Sequence, residues 1–157
     1  ELEKWSLKET QEQKIVEKYI LDKLKPVSKI INTTKTETIK AGNIEHLKST
    51  ITAKTKLSPA KLIDIIHPTP AVCGFPFEKA VKEINEMEKH DRSYYTGYLG
   101  LVNKKYCETY VNLRCARIKN GKATLYSGGG ITKDSVAESE WNEIVSKSGT
   151  ILKTFFN

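Results

Sequence analysis

The stretch TYVNLRCARIKNGKATLYSGGG, residues 109–130, decides the fold. Asn120-Gly121 lies between two runs rich in β-branched and aromatic residues, and both tolerate positive φ. The pair therefore predicts a tight hairpin turn. The flanking runs, 109–118 and 123–127, are then antiparallel strands. Residues 94–102 have a similar make-up and add a third, so an antiparallel meander is expected here, ending at Gly128-Gly129-Gly130.

Helices are predicted on both sides of this sheet. Downstream, Ser135-Val136-Ala137-Glu138 fits a capping box, opening a helix with Trp141, Ile144 and Val145 on its apolar side. Upstream, Ala80, Val81, Ile84 and Met87 share one helical face. Ser58-Pro59 starts an earlier helix through Leu62, Ile63 and Ile66, with serine as cap and proline in the first helical position. Between these two helices, residues 67–76 hold three prolines and a glycine, which predicts irregular structure. Asn43 is a candidate cap for a helix through Leu47 and Ile51, and the threonine-rich 33–39 suits an edge strand. At the start, Ser6-Leu7-Lys8-Glu9 is another capping box. Val16, Ile20 and Leu24 follow at four-residue spacing until Pro26 stops the helix. The fold class is α+β: an antiparallel sheet with packed helices, in one domain over 1–157.

A net charge of +7 admits either a nucleic acid or a small anionic substrate as partner. The lysines run almost evenly from Lys4 to Lys153, without a basic stretch interleaved with aromatics, so no nucleic acid partner is expected. No run approaches the roughly 20 apolar residues of a membrane span, so no membrane partner is expected either. Cys73, Cys107 and Cys115 lack metal-ligand spacing and read as reduced thiols of a cytoplasmic protein. The abrupt start at Glu1, without methionine and close to a helix, reads as a piece of a longer protein. Self-association through surface left open by the missing part is then expected.

Two pairs of acids stand out. Glu9 and Glu12 share one face of the first helix, and the line from Glu12 continues through Val16 and Ile20. Glu140 and Glu143 repeat the spacing in the last helix, with Lys147 four residues on. Like charges about 4 Å apart repel by about 1 kcal/mol even in water. Two such helices side by side would offer oxygens suited to Mg²⁺. The alternative is ordinary surface: Glu9 has a capping role, and Glu143 with Lys147 makes an i,i+4 ion pair. The glycine run is either a backbone that approaches an anion or a bulged strand end. Arg114, read as mid-strand, is either a carboxylate clamp or a solvated outer-face residue. His46 and His67 are either hydrogen-bond donors to a ligand or structural.

Four segments resemble one family, in its order and with compatible spacings. His67 to Pro76, HPTPAVCGFP, resembles the signature loop of isochorismate synthases, and DRSYYTGYLG from Asp91 resembles the "DRGxYxGxxG" segment of chorismate-utilising enzymes. Asn112-Leu113-Arg114-Cys115-Ala116 is similar to the family's "IRSA" strand. YSGGGITKDS from Tyr126 is similar to "YAGAGIVxDS". The resemblance covers essentially the whole chain and implies the C-terminal part of the chorismate-utilising fold. It implies Mg²⁺ held by Glu12 and Glu143, accompanied by Glu9 and Glu140. It also implies chorismate bound by Tyr95, Arg114 and the backbone of Gly128, Gly129 and Gly130, with Lys147 near the metal-bound carboxylate and His46 lining the ring pocket. The reaction implied is attack of water at C2 of chorismate with loss of the C4 hydroxyl, an isomerase activity. The family's general-base lysine and general-acid glutamate have no match here, which implies an inactive fragment of an active parent. Ala71 stands where salicylate, anthranilate and aminodeoxychorismate synthases carry threonine, and a small residue there favours stopping at isochorismate. Ser93, Gly129 and Ala137 depart from the usual glycine, alanine and proline, and none of these removes an implied ligand.

Overall fold

The computed structural model describes residues 5–41, 44–103 and 106–156. The chain forms two compact units, Glu1–Ile84 and Asn85–Asn157. Together they give the α+β class, helices with two-stranded antiparallel ladders.

The first unit opens with α1 (Leu7–Leu24). Ser6 accepts from the Glu9 amide while the Glu9 carboxylate accepts from the Ser6 amide, so the predicted capping box is present. The stripe Glu12, Val16, Ile20 and Leu24 faces inward: the first three are half-buried and Leu24 is buried. A 3-10 turn at Lys25–Val27 carries Pro26 and ends the helix. Strand β1 (Ser28–Thr33) pairs with β4 (Ile51–Thr55), and the hairpin of β2 (Glu37–Ala41) and β3 (Ile44–Lys48) lies between them in sequence.

Two expectations fail in this region. The edge strand at 33–39 is broken at 34–36, where the Thr34 amide donates to Thr50 O and the Thr50 amide to Thr34 Oγ1. The helix through Leu47 and Ile51 is instead β3 and β4; its suggested cap, Asn43, lies outside the described residues. Ile44 and Leu47 mimic helical spacing, but Ile51, Thr52 and Thr55 are β-branched and pair across the ladder with β1.

Helix α2 (Pro59–Ile66) starts at Ser58, whose hydroxyl accepts from the Lys61 amide. Residues 67–76 are not wholly irregular, because Pro70–Cys73 forms one helical turn, α3. Pro70 takes its first position, where a missing N–H costs nothing, and Gly74 at φ +78° ends it. The peptide bonds before Pro68 and Pro76 are cis. Helix α1 packs on α2, α3, β1 and β3. Helix α4 (Phe77–Met87) runs from the first unit into the second.

In the second unit the expected meander is two separate ladders. Strand β5 (Tyr98–Val102) pairs with β6 (Cys107–Val111), and β7 (Cys115–Lys119) with β8 (Lys122–Tyr126). The hairpin at Asn120-Gly121 forms as predicted, with both residues at positive φ. The break falls at 112–114. The Asn112 amide donates to Gly97 O and its side chain to Tyr94 O, and Arg114 turns the chain with φ +50°.

Helix α5 (Ala137–Phe156) packs on β8. Ser135 Oγ accepts from the Thr132 amide and closes the loop ahead of the helix. The buried stripe of α5 differs from the expected one: Trp141 is 65% exposed and Val145 53% exposed. Ile144 turns inward as expected, but it does so in company with Glu140, Lys147 and Ile151. No helix among the described residues is long and apolar enough to cross a membrane.

Candidate functional site

Helix α5 places an acid where its core stripe begins. Glu140 is 6% exposed, the one buried charged residue among the described residues. Carboxylates are rarely buried to this extent, which sets the position apart on α5. Glu143 follows one turn later, with its Oε1 2.5 Å from Lys147 Nζ. Lys147 Nζ also donates to Gly128 O at 3.3 Å.

The glycine run crosses this pair of acids. A Cβ on Gly129 would lie 3.6 Å from Glu140 Oε2 and 3.8 Å from Glu143 Oε1. Both carboxylates therefore flank the same point of backbone. A Cβ on Gly128 would lie 2.6 Å from the Tyr95 hydroxyl, closer than such atoms approach, so that hydroxyl fills the space a side chain would need. The exposed Gly130 continues the run. Tyr95, Gly128, Gly129, Glu140, Glu143 and Lys147 thus form one cluster in the second unit. It joins two acids and a cation to a backbone bare of side chains and a phenol.

The phenol is held protonated. Burial pushes the Tyr95 pKa up, and the Glu88 carboxylate and Cys115 add to that while Arg92 opposes it. A neutral phenol can donate a hydrogen bond to a carboxylate. Arg114 differs from its expectation: it stands at the corner between β6 and β7, not mid-strand, half-buried and in left-handed backbone. For a residue other than glycine that conformation costs about 1–2 kcal/mol.

The remaining candidates belong to the first unit. Glu12 lies on the inward stripe of α1, and its Oε1 is shielded from solvent. Glu9 Oε2 closes the capping box. His46 is half-buried on β3, opposite Ile39, and Ala71 is exposed on α3. Both of these elements pack on α1.

Among the described residues no three histidine, cysteine, aspartate or glutamate side chains converge as a complete metal cage. The donor set on α5 is two carboxylates one turn apart. That suits a hard ion such as Mg²⁺, which retains water and is bound through one or two carboxylates plus substrate.

Three residues missing from the sequence reading of the site surround Tyr95. The Tyr126 ring stacks on it with centroids 5.5 Å apart, and Arg92 lies over it at 6.0 Å. Glu88 grips Arg92 with both oxygens, at 2.6 and 2.5 Å. Nothing in the spacing of these residues announces the contact, since Tyr126 is far from Tyr95 in sequence.

The family model for chorismate binding enzymes matches residues 4–155, and the chain belongs to that family. Isochorismate synthase 2, chloroplastic, of Arabidopsis thaliana is 33% identical over 153 residues, covering 95% of this chain and 27% of that protein. The vibriobactin-specific isochorismate synthase of Vibrio cholerae is 43% identical over 88 residues, 55% of this chain and 22% of that protein. Among solved structures, a Bacillus anthracis protein assigned as a 2,3-dihydroxybenzoate-specific isochorismate synthase superposes with a TM-score of 0.89 at 31% identity. That match covers 96% of this chain and 41% of the other. The chain therefore spans less than half the length of these relatives.

Proposed function

We propose that this chain forms the metal and carboxylate-binding side of an isochorismate synthase that acts on chorismate with Mg²⁺. The observation that carries the reading is Glu140, buried on the core stripe of α5 and flanked with Glu143 by the glycine run. A surface pair would not bury Glu140, although Glu143 itself is exposed and ion-paired with Lys147. The names of the relatives supply the reaction class, and the α5 acids supply a reason for the metal.

In this reading Glu143, accompanied by Glu140, supplies the second unit's ligands to Mg²⁺, and the resemblance assigns the same roles on α1 to Glu12, accompanied by Glu9. The ion, when bound, neutralises and anchors a substrate carboxylate. Lys147 sits beside Glu143 and tempers the negative charge when no ion is present. The second carboxylate of chorismate takes a hydrogen bond from the neutral Tyr95 phenol and a paired contact from Arg114. Backbone amides of Gly128, Gly129 and Gly130 approach it closely because no side chain intervenes. His46 lines the ring, and Ala71 leaves room on the signature loop. These residues bind and orient the substrate. The proton transfers that accompany water addition at C2 and hydroxyl loss at C4 fall to a lysine and a glutamate that have no match in positions 1–157.

The test is product analysis by chromatography, using the protein that joins this chain to the rest of the fold. It receives chorismate and Mg²⁺ without ammonia or glutamine. Isochorismate as the product supports the reading, and its loss on removal of Mg²⁺ supports the metal. Anthranilate synthase component 1 of Bacillus pumilus is 31% identical over 123 residues, so a sister reaction has a concrete basis. Salicylate as the product, or no conversion until ammonia is supplied, would move the chain to such a sister enzyme.

A further inference from the structure

We propose that Tyr126 and the Glu88–Arg92 pair are positioning residues, a clamp that fixes the Tyr95 hydroxyl against the glycine run. The proposal rests on the reading of Tyr95 as a contact of the substrate carboxylate. Tyr95 stands in a segment of tight turns, with its amide donating to Arg92 O at 2.8 Å and the Gly97 amide to Tyr94 O at 3.1 Å. Turns fix the backbone but leave the ring free to rotate about its side-chain torsions. Its hydroxyl is nevertheless found where a Gly128 Cβ would be, at 2.6 Å, so something holds the ring.

Two partners do so. Tyr126 is 7% exposed at the end of β8, and its hydroxyl donates to Asp91 O at 3.4 Å, so its ring has little freedom. It stacks on Tyr95 at 25° between planes. Arg92 adds its guanidinium over the same ring, and it cannot swing away while Glu88 holds two of its nitrogens. The third nitrogen donates to Thr96 Oγ1 at 3.3 Å, which ties the guanidinium to the turn carrying Tyr95. The segment that follows α4 and the end of strand β8 thus converge on one phenol. A pre-positioned donor binds a carboxylate without first losing rotamer freedom.

The test uses this chain with tyrosine labelled at 13Cζ, the Tyr95 signal being identified by its loss in Tyr95→Phe. Tyr94, 85% exposed, supplies the reference for a free ring. Tyr126→Leu and Glu88→Gln should each move the Tyr95 signal toward that of Tyr94, whereas Tyr126→Phe, which keeps the stacked and buried ring, should leave it in place. Gly128→Ala should also displace the signal, since its new methyl claims the hydroxyl's position. An unmoved Tyr95 signal in both Tyr126→Leu and Glu88→Gln overturns the clamp, and Glu88→Gln keeps the question answerable if Tyr126→Leu does not fold. Chorismate affinity, measured on the same samples, should fall about tenfold where the signal moves, the loss expected for one charge-assisted hydrogen bond. A signal that moves while affinity holds leaves the clamp standing and removes Tyr95 from the substrate site.

Discussion

Arg114 is the residue where backbone and side chain pull in different directions. Its φ of +50° would suit glycine better, and a strained non-glycine residue invites a functional hypothesis. We predict that Arg114→Gly leaves the thermal midpoint unchanged or raised, while chorismate affinity falls about tenfold or more through loss of a charged contact. A midpoint that drops with affinity intact would assign the arginine a structural role. Glu88 gives a second prediction at this scale. Its hydrogen bonds from Arg92 hold its carboxyl below the ordinary range. A depressed folded-state pKa stabilises the fold above the unfolded value, and that contribution is lost as pH falls through the folded one. Wild type should therefore lose stability on acidification more steeply than Glu88→Gln, as followed by circular dichroism. Parallel acid profiles would show the pair to be idle.

Local signals carried well into elements and poorly into the way elements meet. Capping at Ser6 and Ser58 and the turn at Asn120-Gly121 were legible because one or two side chains determine each. The break at 112–114 was not, since it depends on Asn112 bonding to Gly97 and Tyr94, distant in sequence. The inward stripe of α5 was misread for a physical reason: Trp141 is the largest apolar residue there, yet it faces solvent while Glu140 faces in. A rule that sends apolar residues inward fails on this face of α5, where an acid takes the buried position. The spacing of Glu140, Glu143 and Lys147 was legible, but the Gly128–Tyr95 approach was not, since it joins residues distant in sequence. At this scale we predict that Gly121→Ala destabilises the β7–β8 hairpin by about 1–2 kcal/mol, from left-handed backbone alone. No atom lies within 4 Å of the added methyl, so steric clash plays no part. Hydrogen exchange of the β7 and β8 amides checks this, and unchanged protection would contradict it.

At the scale of the whole chain, apolar side chains stand open among the described residues: Leu99, Leu101 and Val102 on β5 and Ile118 on β7 are more than half exposed. We predict that the isolated chain binds a hydrophobic dye and self-associates at micromolar concentration. A dye-silent monomer in sedimentation would contradict this. Such surface would be covered when the chain is joined to the rest of the fold its relatives possess. The central claim, that the acids of α5 form the metal side of a chorismate site, is tested most directly by calorimetric titration of Mg²⁺ with and without chorismate. Wild type is predicted to bind Mg²⁺ more tightly when chorismate is present, and Glu140→Gln with Glu143→Gln to lose that coupling. No coupling in wild type, or the same coupling in the double variant, would contradict the account.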